Sequence, residues 1–128
     1  MSDKFTVEII SPDQTVLKQE TKEVIIPSFE GQMGILNNHI PLITFLRPGI
    51  ITIKAEGEKK YYVEEGTVEF SNNNLLILTS TARDLANFDK SSINELLQKA
   101  EANLNTKSTD KERYVASYKI ETLKEIIQ

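Results

Sequence analysis

The side chains of this chain that could do chemistry gather in residues 25–42, around its only histidine. His39 could act as a general base if a carboxylate such as that of Glu30 oriented it. No recognisable nucleophile motif accompanies the pair, and the 128 residues include no cysteine. A small hydrolase that depends on His39 is therefore one hypothesis, and it requires a defined activity that His39→Ala abolishes.

Two glycines in the same stretch, Gly31 and Gly34, superficially resemble a phosphate-binding loop. Such a loop continues with lysine and a hydroxyl residue into a helix, because amides and a cation must surround the phosphates. Apolar residues follow Gly34 instead. The pattern favours a tight turn with positive φ at the glycines, and a second turn that ends near His39. Residues 25–42 are thus predicted to form a displayed loop.

Composition narrows the classes of function. The chain has 15 basic and 19 acidic side chains, a net charge of -4, and the acidic excess lies in residues 1–88. No basic stripe offers a footprint for nucleic acid. The sequence suggests no metal or other cofactor, no secretory or transit segment at its start, and no apolar run near the roughly 20 residues of a membrane helix. Any association with a membrane is therefore predicted to go through a partner protein.

Alternation of apolar and polar residues dominates the first part of the chain. It predicts strands at residues 5–9, 15–18, 23–26, 49–54, 60–63, 67–70 and 75–79. Segments rich in proline, glycine and asparagine separate several of them, as expected of turns. This spacing predicts an antiparallel β-sandwich or barrel over residues 1–88.

From Asp89 onward the apolar period becomes helical. One stripe comprises Ile93, Leu96, Leu97, Ala100 and Leu104, and a second comprises Ala116, Ile120, Leu123 and Ile127. Residues 105–108 interrupt the pattern. The sequence therefore predicts a two-helix antiparallel hairpin over residues 89–128, whose stripes must pack on each other, on the sandwich or on another protein.

Capping patterns mark the start of both predicted helices. Ser92 with Glu95 predicts a capping box for the first helix, with Asp89 as the alternative N-cap. Thr109 with Glu112 predicts a capping box for the second helix.

Three motifs carry a resemblance to a known family: Gly31-x-x-Gly34-Ile35-Leu36, His39-x-Pro41-Leu42 and Leu46-x-Pro48-Gly49. They resemble the amino-terminal domain of the epsilon subunit of the rotary F-type ATP synthase, the counterpart of the mitochondrial delta subunit. The resemblance continues through residues 63–66 and 75–82 and through the helical tail, so it covers nearly the whole chain. Such spacing is far more specific than a lone glycine motif.

The resemblance implies a β-sandwich followed by a helical hairpin, in a non-catalytic rotor subunit of the central stalk. Such a subunit binds the gamma subunit and the membrane-embedded ring of c subunits, couples proton-driven rotation to ATP synthesis, and makes transient contact with alpha and beta subunits. It would be a peripheral protein on the cytoplasmic face of the bacterial plasma membrane. The alternative function is a free-standing sandwich that binds a small ligand between sheet and hairpin.

The resemblance also implies interface residues. These are Glu30, Gly31, Gln32, Met33, His39 and Pro41. Glu30 and Gln32 would meet the polar loops of the c ring, and His39 would lie at the contact with gamma or the ring. Many relatives have an acidic residue at the position of Gln32, so a hydrogen bond rather than a salt bridge is expected there.

The tail of many relatives inhibits ATP hydrolysis, which implies regulatory contacts through Arg113, Lys119 and Lys124. Residues 110–128 carry four basic and four acidic side chains, so electrostatic steering toward an acidic target should be weak. Some relatives also bind ATP at the start of the tail. Only Asp89 matches their motif, so no ATP binding is predicted.

Overall fold

The computed structural model describes residues 3–106 and 109–127. The chain divides into two compact units, of which the first ends at Leu85 and the second begins at Ala86. A short 3-10 turn, Leu85–Asn87, lies at this division. The sequence placed the change of pattern slightly later, between Phe88 and Asp89.

The described part of the first unit contains ten strands. They are β1 Phe5–Ile10, β2 Thr15–Thr21, β3 Glu23–Ser28, β4 Gly31–Leu36, β5 Leu42–Leu46, β6 Gly49–Lys54, β7 Glu58–Val63, β8 Gly66–Ser71, β9 Asn74–Leu78 and β10 Arg83–Asp84. Hydrogen-bonded neighbours follow the order β10, β7, β6, β3, β5, β8, β9, β1, β2, with β4 beside β3. Because β3 pairs with β6 at residues 23–25 and with β5 at Ser28, it passes from one layer of a β-sandwich to the other.

Alternating burial explains why these segments are strands. In β1, Phe5, Val7 and Ile9 are buried while the residues between them are not. The ring of Phe5 meets that of Phe70 edge to face, with centroids 5.6 Å apart. The core comprises Phe5, Val7, Ile9, Val24, Ile26, Ile35, Leu46, Ile51, Ile53, Tyr61, Val63, Val68, Phe70, Leu75 and Ile77. All seven predicted strands are present, although β1 and β9 pair in parallel and the sandwich is not wholly antiparallel.

The prediction of a displayed loop over residues 25–42 is wrong. Residues 31–36 form β4, and the next strand, β5, begins at Leu42. Gly31 does have a positive φ, of 123°, where it follows the turn between β3 and β4. Gly34 has no positive φ and lies opposite Ile25 in the β3–β4 ladder. Pairing with β3 therefore overrides the low strand propensity of the glycines.

The second unit contains two helices, α1 Lys90–Asn105 and α2 Asp110–Ile127, which pack against each other. Every residue of the two predicted stripes is buried or half-buried, which confirms both stripes. Three predictions extend outside the described residues. The predicted break includes 107 and 108, the predicted hairpin ends at 128, and the prediction of no leader concerns a segment that includes 1 and 2. Neither helix, over the described residues, has the length and apolar content needed to cross a bilayer.

Both helices begin at side-chain caps. Asp89 Oδ1 accepts a hydrogen bond from Ser92 N at 2.8 Å, so Asp89 is the N-cap of α1. The predicted capping box of Ser92 with Glu95 is wrong, because Ser92 already lies in the first turn of the helix. Hydrogen bonds from Ser92, the side chain first and then the backbone, lower the pKa of Asp89. The cap is therefore complete at neutral pH and is lost as the pH falls through that lowered pKa. The box of Thr109 and Glu112 is confirmed by reciprocal bonds of 3.1 and 3.2 Å.

Candidate docking surface

Glu30 lies at the tip of the two-residue turn that joins β3 to β4. Ser28 Oγ donates to Gly31 O at 2.7 Å and accepts from Glu30 N at 3.2 Å. Phe29 N donates to Phe45 O at 3.1 Å, which ties the turn to β5. The Glu30 side chain is exposed. The turn is therefore held rigidly while its carboxylate remains available to a partner.

The next two predicted interface residues differ in their surroundings. Gln32 is exposed, whereas Met33 is half-buried and packs against the sandwich core. Since successive side chains of a strand alternate between its faces, Gln32 is presented outward and Met33 supports it from within.

His39 lies in a turn at the opposite end of β4. Its backbone N donates to Leu36 O at 3.2 Å, and its half-buried ring meets Phe70 edge to face at 5.9 Å. Nδ1 lies 2.7 Å from Ile40 O and donates to it in the tautomer that carries a proton on Nδ1. Pro41 is exposed beside this turn. The turn therefore orients the His39 ring and displays Ile40 and Pro41.

The predicted interface is consequently split into two groups, residues 30–33 and 39–41. The six residues of β4 span about 17 Å between them at the usual rise of an extended strand. Glu30 and His39 lie beyond opposite ends of β4, so the geometry does not form the pair that the hydrolase hypothesis needs. Strand β5 links the two groups, because it follows Pro41 and its last residue pairs with Ser28.

An apolar surface, which we call the β5 patch, comprises Ile43, Phe45 and Leu78. Ile43 is 74% exposed and Phe45 58%. Phe45 lies opposite Thr67 on β8, and Thr67 lies opposite Leu78 on β9, so Phe45 and Leu78 flank a threonine on one outward face, while Ile43 lies opposite Glu69. Outward strand positions that face water are normally polar. Large apolar side chains at these positions indicate a surface that another protein covers.

The sequence reasoning missed the β5 patch, although a signal was present. Residues 42–46 read Leu-Ile-Thr-Phe-Leu, a nearly continuous apolar run. Such runs are typical of strands with both faces covered. No strand was predicted here, so its outward face was not considered.

A pair of asparagines fastens the His39 turn to a neighbouring turn. Asn38 N donates to Asn73 Oδ1 at 2.6 Å, and Asn73 Nδ2 donates to Asn38 Oδ1 at 3.1 Å. Both residues have positive φ, 63° and 58°. Sequence reasoning identified both segments as turns but not their contact, because 35 residues separate them.

One open cleft on the sandwich bears on the small-ligand alternative. It has a volume of about 420 Å³ and is lined by Lys4, Gln19, Glu20, Ala55, Glu56, Gly57, Glu58 and Lys59. Five of these eight residues are charged. All eight belong to the first unit, whereas the alternative places its ligand between sheet and hairpin, so this cleft gives the alternative no support.

The three basic residues predicted for regulation do not share one side of α2. Arg113 and Lys124 are exposed, and Lys119 is half-buried. Arg113 and Lys124 are separated by about three helical turns and face nearly the same direction, whereas Lys119 faces elsewhere. Only Arg113 and Lys124 could therefore meet one target together.

The fold and the surface together define a class of protein: a docking β-sandwich with a helical tail. Residues 4–84 match the family described as ATP synthase, Delta/Epsilon chain, beta-sandwich domain. The ATP synthase epsilon chain of Pelagibacter ubique is 49% identical over 127 residues, which cover 97% of this chain and 98% of that protein. The epsilon chain of Synechococcus sp. is 36% identical over 95% of this chain and 90% of its own length. The chain therefore belongs to the ATP synthase epsilon chain family, which confirms the resemblance seen in its motifs.

Solved structures show the same fold. A chain of the Euglena gracilis mitochondrial ATP synthase, solved with OSCP, F1 and the c-ring, superposes with a TM-score of 0.81 and 21% identity, covering 100% of this chain and 84% of that one. A chain from the central stalk and c-ring of the Tetrahymena thermophila mitochondrial ATP synthase gives a TM-score of 0.70 and 16% identity, with 96% of both chains covered. These superpositions confirm the predicted β-sandwich followed by two helices.

Proposed function

We propose that this chain is a non-catalytic rotor subunit in the central stalk of an F-type ATP synthase. It joins the gamma subunit to the ring of c subunits and couples rotation of the ring to ATP synthesis. Its full-length similarity to epsilon chains supports this role. The structural observation that carries the proposal is the exposed β5 patch between two rigid turns.

The two kinds of surface suit two kinds of partner. The β5 patch is apolar and fits the gamma subunit, with His39 and Pro41 extending the same contact from the end of β4. The tip formed by Glu30, Gly31 and Gln32 is polar and fits the polar loops of the c ring, where Gln32 offers a hydrogen bond and Glu30 a charge. Met33 supports this tip from the core side.

In this role the subunit meets the membrane only through the c ring. The subunit is then located at the cytoplasmic face of the bacterial plasma membrane, where the catalytic head also lies. Transient contact of the helical tail with alpha and beta subunits is part of the same proposal.

A pull-down tests the assignment. The tagged full-length chain, incubated with detergent-solubilised membranes of its source, should recover the gamma and c subunits together with alpha and beta, as identified by mass spectrometry. An untagged chain provides the control for adsorption. Recovery of none of these subunits from membranes whose synthase is intact would contradict the proposed function.

The helical hairpin is proposed as an element that restrains ATP hydrolysis, with Arg113 and Lys124 as a joint contact and Lys119 as a separate one. A chain that stops after Asp89 should raise ATP hydrolysis of the assembled complex about fivefold, at the low end of measured allosteric couplings. Replacement of Arg113 and Lys124 by glutamine should give part of this increase. Lys90→Gln combined with Lys99→Gln on α1, which also removes two exposed positive charges, serves as the matched control. Hydrolysis that is unchanged by the truncation would disprove the restraint.

A further inference from the structure

We propose that Asn73 is a positioning residue for the docking segment 39–41, which it holds in its binding conformation through Asn38. The inference rests on the proposed function, because it concerns the same contact with the gamma subunit. It adds a residue that lies outside the docking segment, on the turn between β8 and β9.

The geometry that carries the inference is a two-way hydrogen bond between side chain and turn. Asn73 Oδ1 accepts from the backbone of Asn38 at 2.6 Å, and Asn73 Nδ2 donates to Asn38 Oδ1 at 3.1 Å. Asn73 is itself anchored, since its carbonyl accepts from Thr6 N at 3.1 Å. The bonds therefore connect the turn before the docking segment to β1, which is paired on both sides.

The choice of asparagine follows from the backbone. Asn38 and Asn73 both adopt positive φ, which asparagine tolerates better than other residues that carry a side chain. Glycine would fit the same backbone but would provide no amide. Asparagine thus meets two demands at once, the left-handed conformation and the reciprocal hydrogen bonds.

Within the described residues, few other contacts hold the docking segment 39–41 in place. Ile40 is 74% exposed and Pro41 is exposed, so neither is fixed by the core. His39 contributes its backbone bond to Leu36, the edge of its ring against Phe70 and the 2.7 Å contact of its Nδ1 with Ile40 O, which is local to the segment. Loss of the asparagine bonds would leave this segment free to sample other conformations, and ordering it again on binding would reduce affinity.

The neighbouring Asn72 supplies a matched control. It also has a positive φ, of 51°, in the same turn, but its side chain takes no part in the pair. We expect Asn73→Gly to weaken binding to the alpha, beta and gamma complex stripped of this subunit by about tenfold, the effect of losing hydrogen bonds that order a loop. Asn72→Gly should bind like the original chain. Both full-length variants should unfold at nearly the same urea concentration as the original.

A conservative variant and an exchange measurement separate positioning from folding. Asn73→Asp keeps an acceptor for Asn38 N and tolerates positive φ, and the Asn38 amide can turn its Nδ2 toward the new carboxylate, so this variant should restore most of the affinity. In the free chain, amide hydrogen exchange at Asn38 should accelerate in Asn73→Gly and not in Asn72→Gly. Equal affinities of Asn73→Gly and the original chain would overturn this inference alone. Failure of the original chain to bind the complex would overturn the proposed function and the inference with it.

Discussion

Replacement of Gly66 by alanine is expected to lower the free energy of unfolding by about 3 to 5 kcal/mol, because backbone strain and steric overlap add. Gly66 has a φ of 154°, which residues with a side chain rarely adopt. A Cβ there would lie 2.6 Å from Leu78 O and 3.0 Å from Leu46 Cδ1. Since Leu78 is held in β9 and Leu46 is buried in the core, neither can move away easily. Urea unfolding of the full-length chain measures the change.

Three other glycines separate the two causes of that loss. Gly57→Ala meets neither a contact within 4 Å nor a positive φ, and should change stability by less than about 0.5 kcal/mol. Gly31→Ala has a φ of 123° but open space, and should show strain alone, about 1 to 2 kcal/mol. Gly49→Ala would place Cβ 2.5 Å from Pro27 Cβ and should show overlap alone. A Gly66→Ala loss no larger than that of Gly31→Ala would contradict the predicted overlap.

Much of the fold could be predicted because many elements bury a single face. Where one side of an element is buried and the other faces solvent, apolar residues recur in the sequence with the period of that element, as Phe5, Val7 and Ile9 do in β1. The helical stripes are visible for the same reason. Capping residues then locate the helix starts, and Asp89 and Thr109 do so here.

Strands β4 and β5 could not be predicted because neither sequence shows the alternation of apolar and polar residues that marks a half-buried strand. β4 includes Gly31 and Gly34, which read as turn formers although only Gly31 has positive φ. β5 is apolar on both faces, so no period of two distinguishes it. Its outward residues, Ile43 and Phe45, are those that the proposed function assigns to a partner. The alternation of apolar and polar residues is therefore absent at β5, which is the strand where docking is proposed.

The candidate site was predictable in its residues but not in its arrangement. Glu30 and His39 stand out by type and by neighbouring turn residues, yet their separation depends on the strand between them. The contact of Asn38 with Asn73 depends on how two distant turns meet. A single sequence contains turn propensities but no information on such long-range contacts.

Replacement of Phe45 by glutamate is expected to weaken binding to the gamma-containing complex by at least about 100-fold. Large aromatic residues at the centre of an interface often contribute this much, and a buried carboxylate without a partner adds a desolvation penalty. Phe45 is 58% exposed in the chain alone, so its replacement should leave the unfolding curve nearly unchanged. Surface plasmon resonance with the immobilised alpha, beta and gamma complex measures the affinity.

Two comparisons show whether that loss belongs to the β5 patch. Lys60→Gln changes the net charge by the same amount at an exposed position of β7, so it should bind gamma normally. Glu30→Gln should also leave gamma binding intact, because the tip is assigned to the c ring, and should weaken recovery of the ring instead. Normal gamma binding by Phe45→Glu would contradict the assignment of the β5 patch. Equal losses in Phe45→Glu and Glu30→Gln would instead mean that one partner covers both surfaces, since the tip is tied to β5 through Phe29.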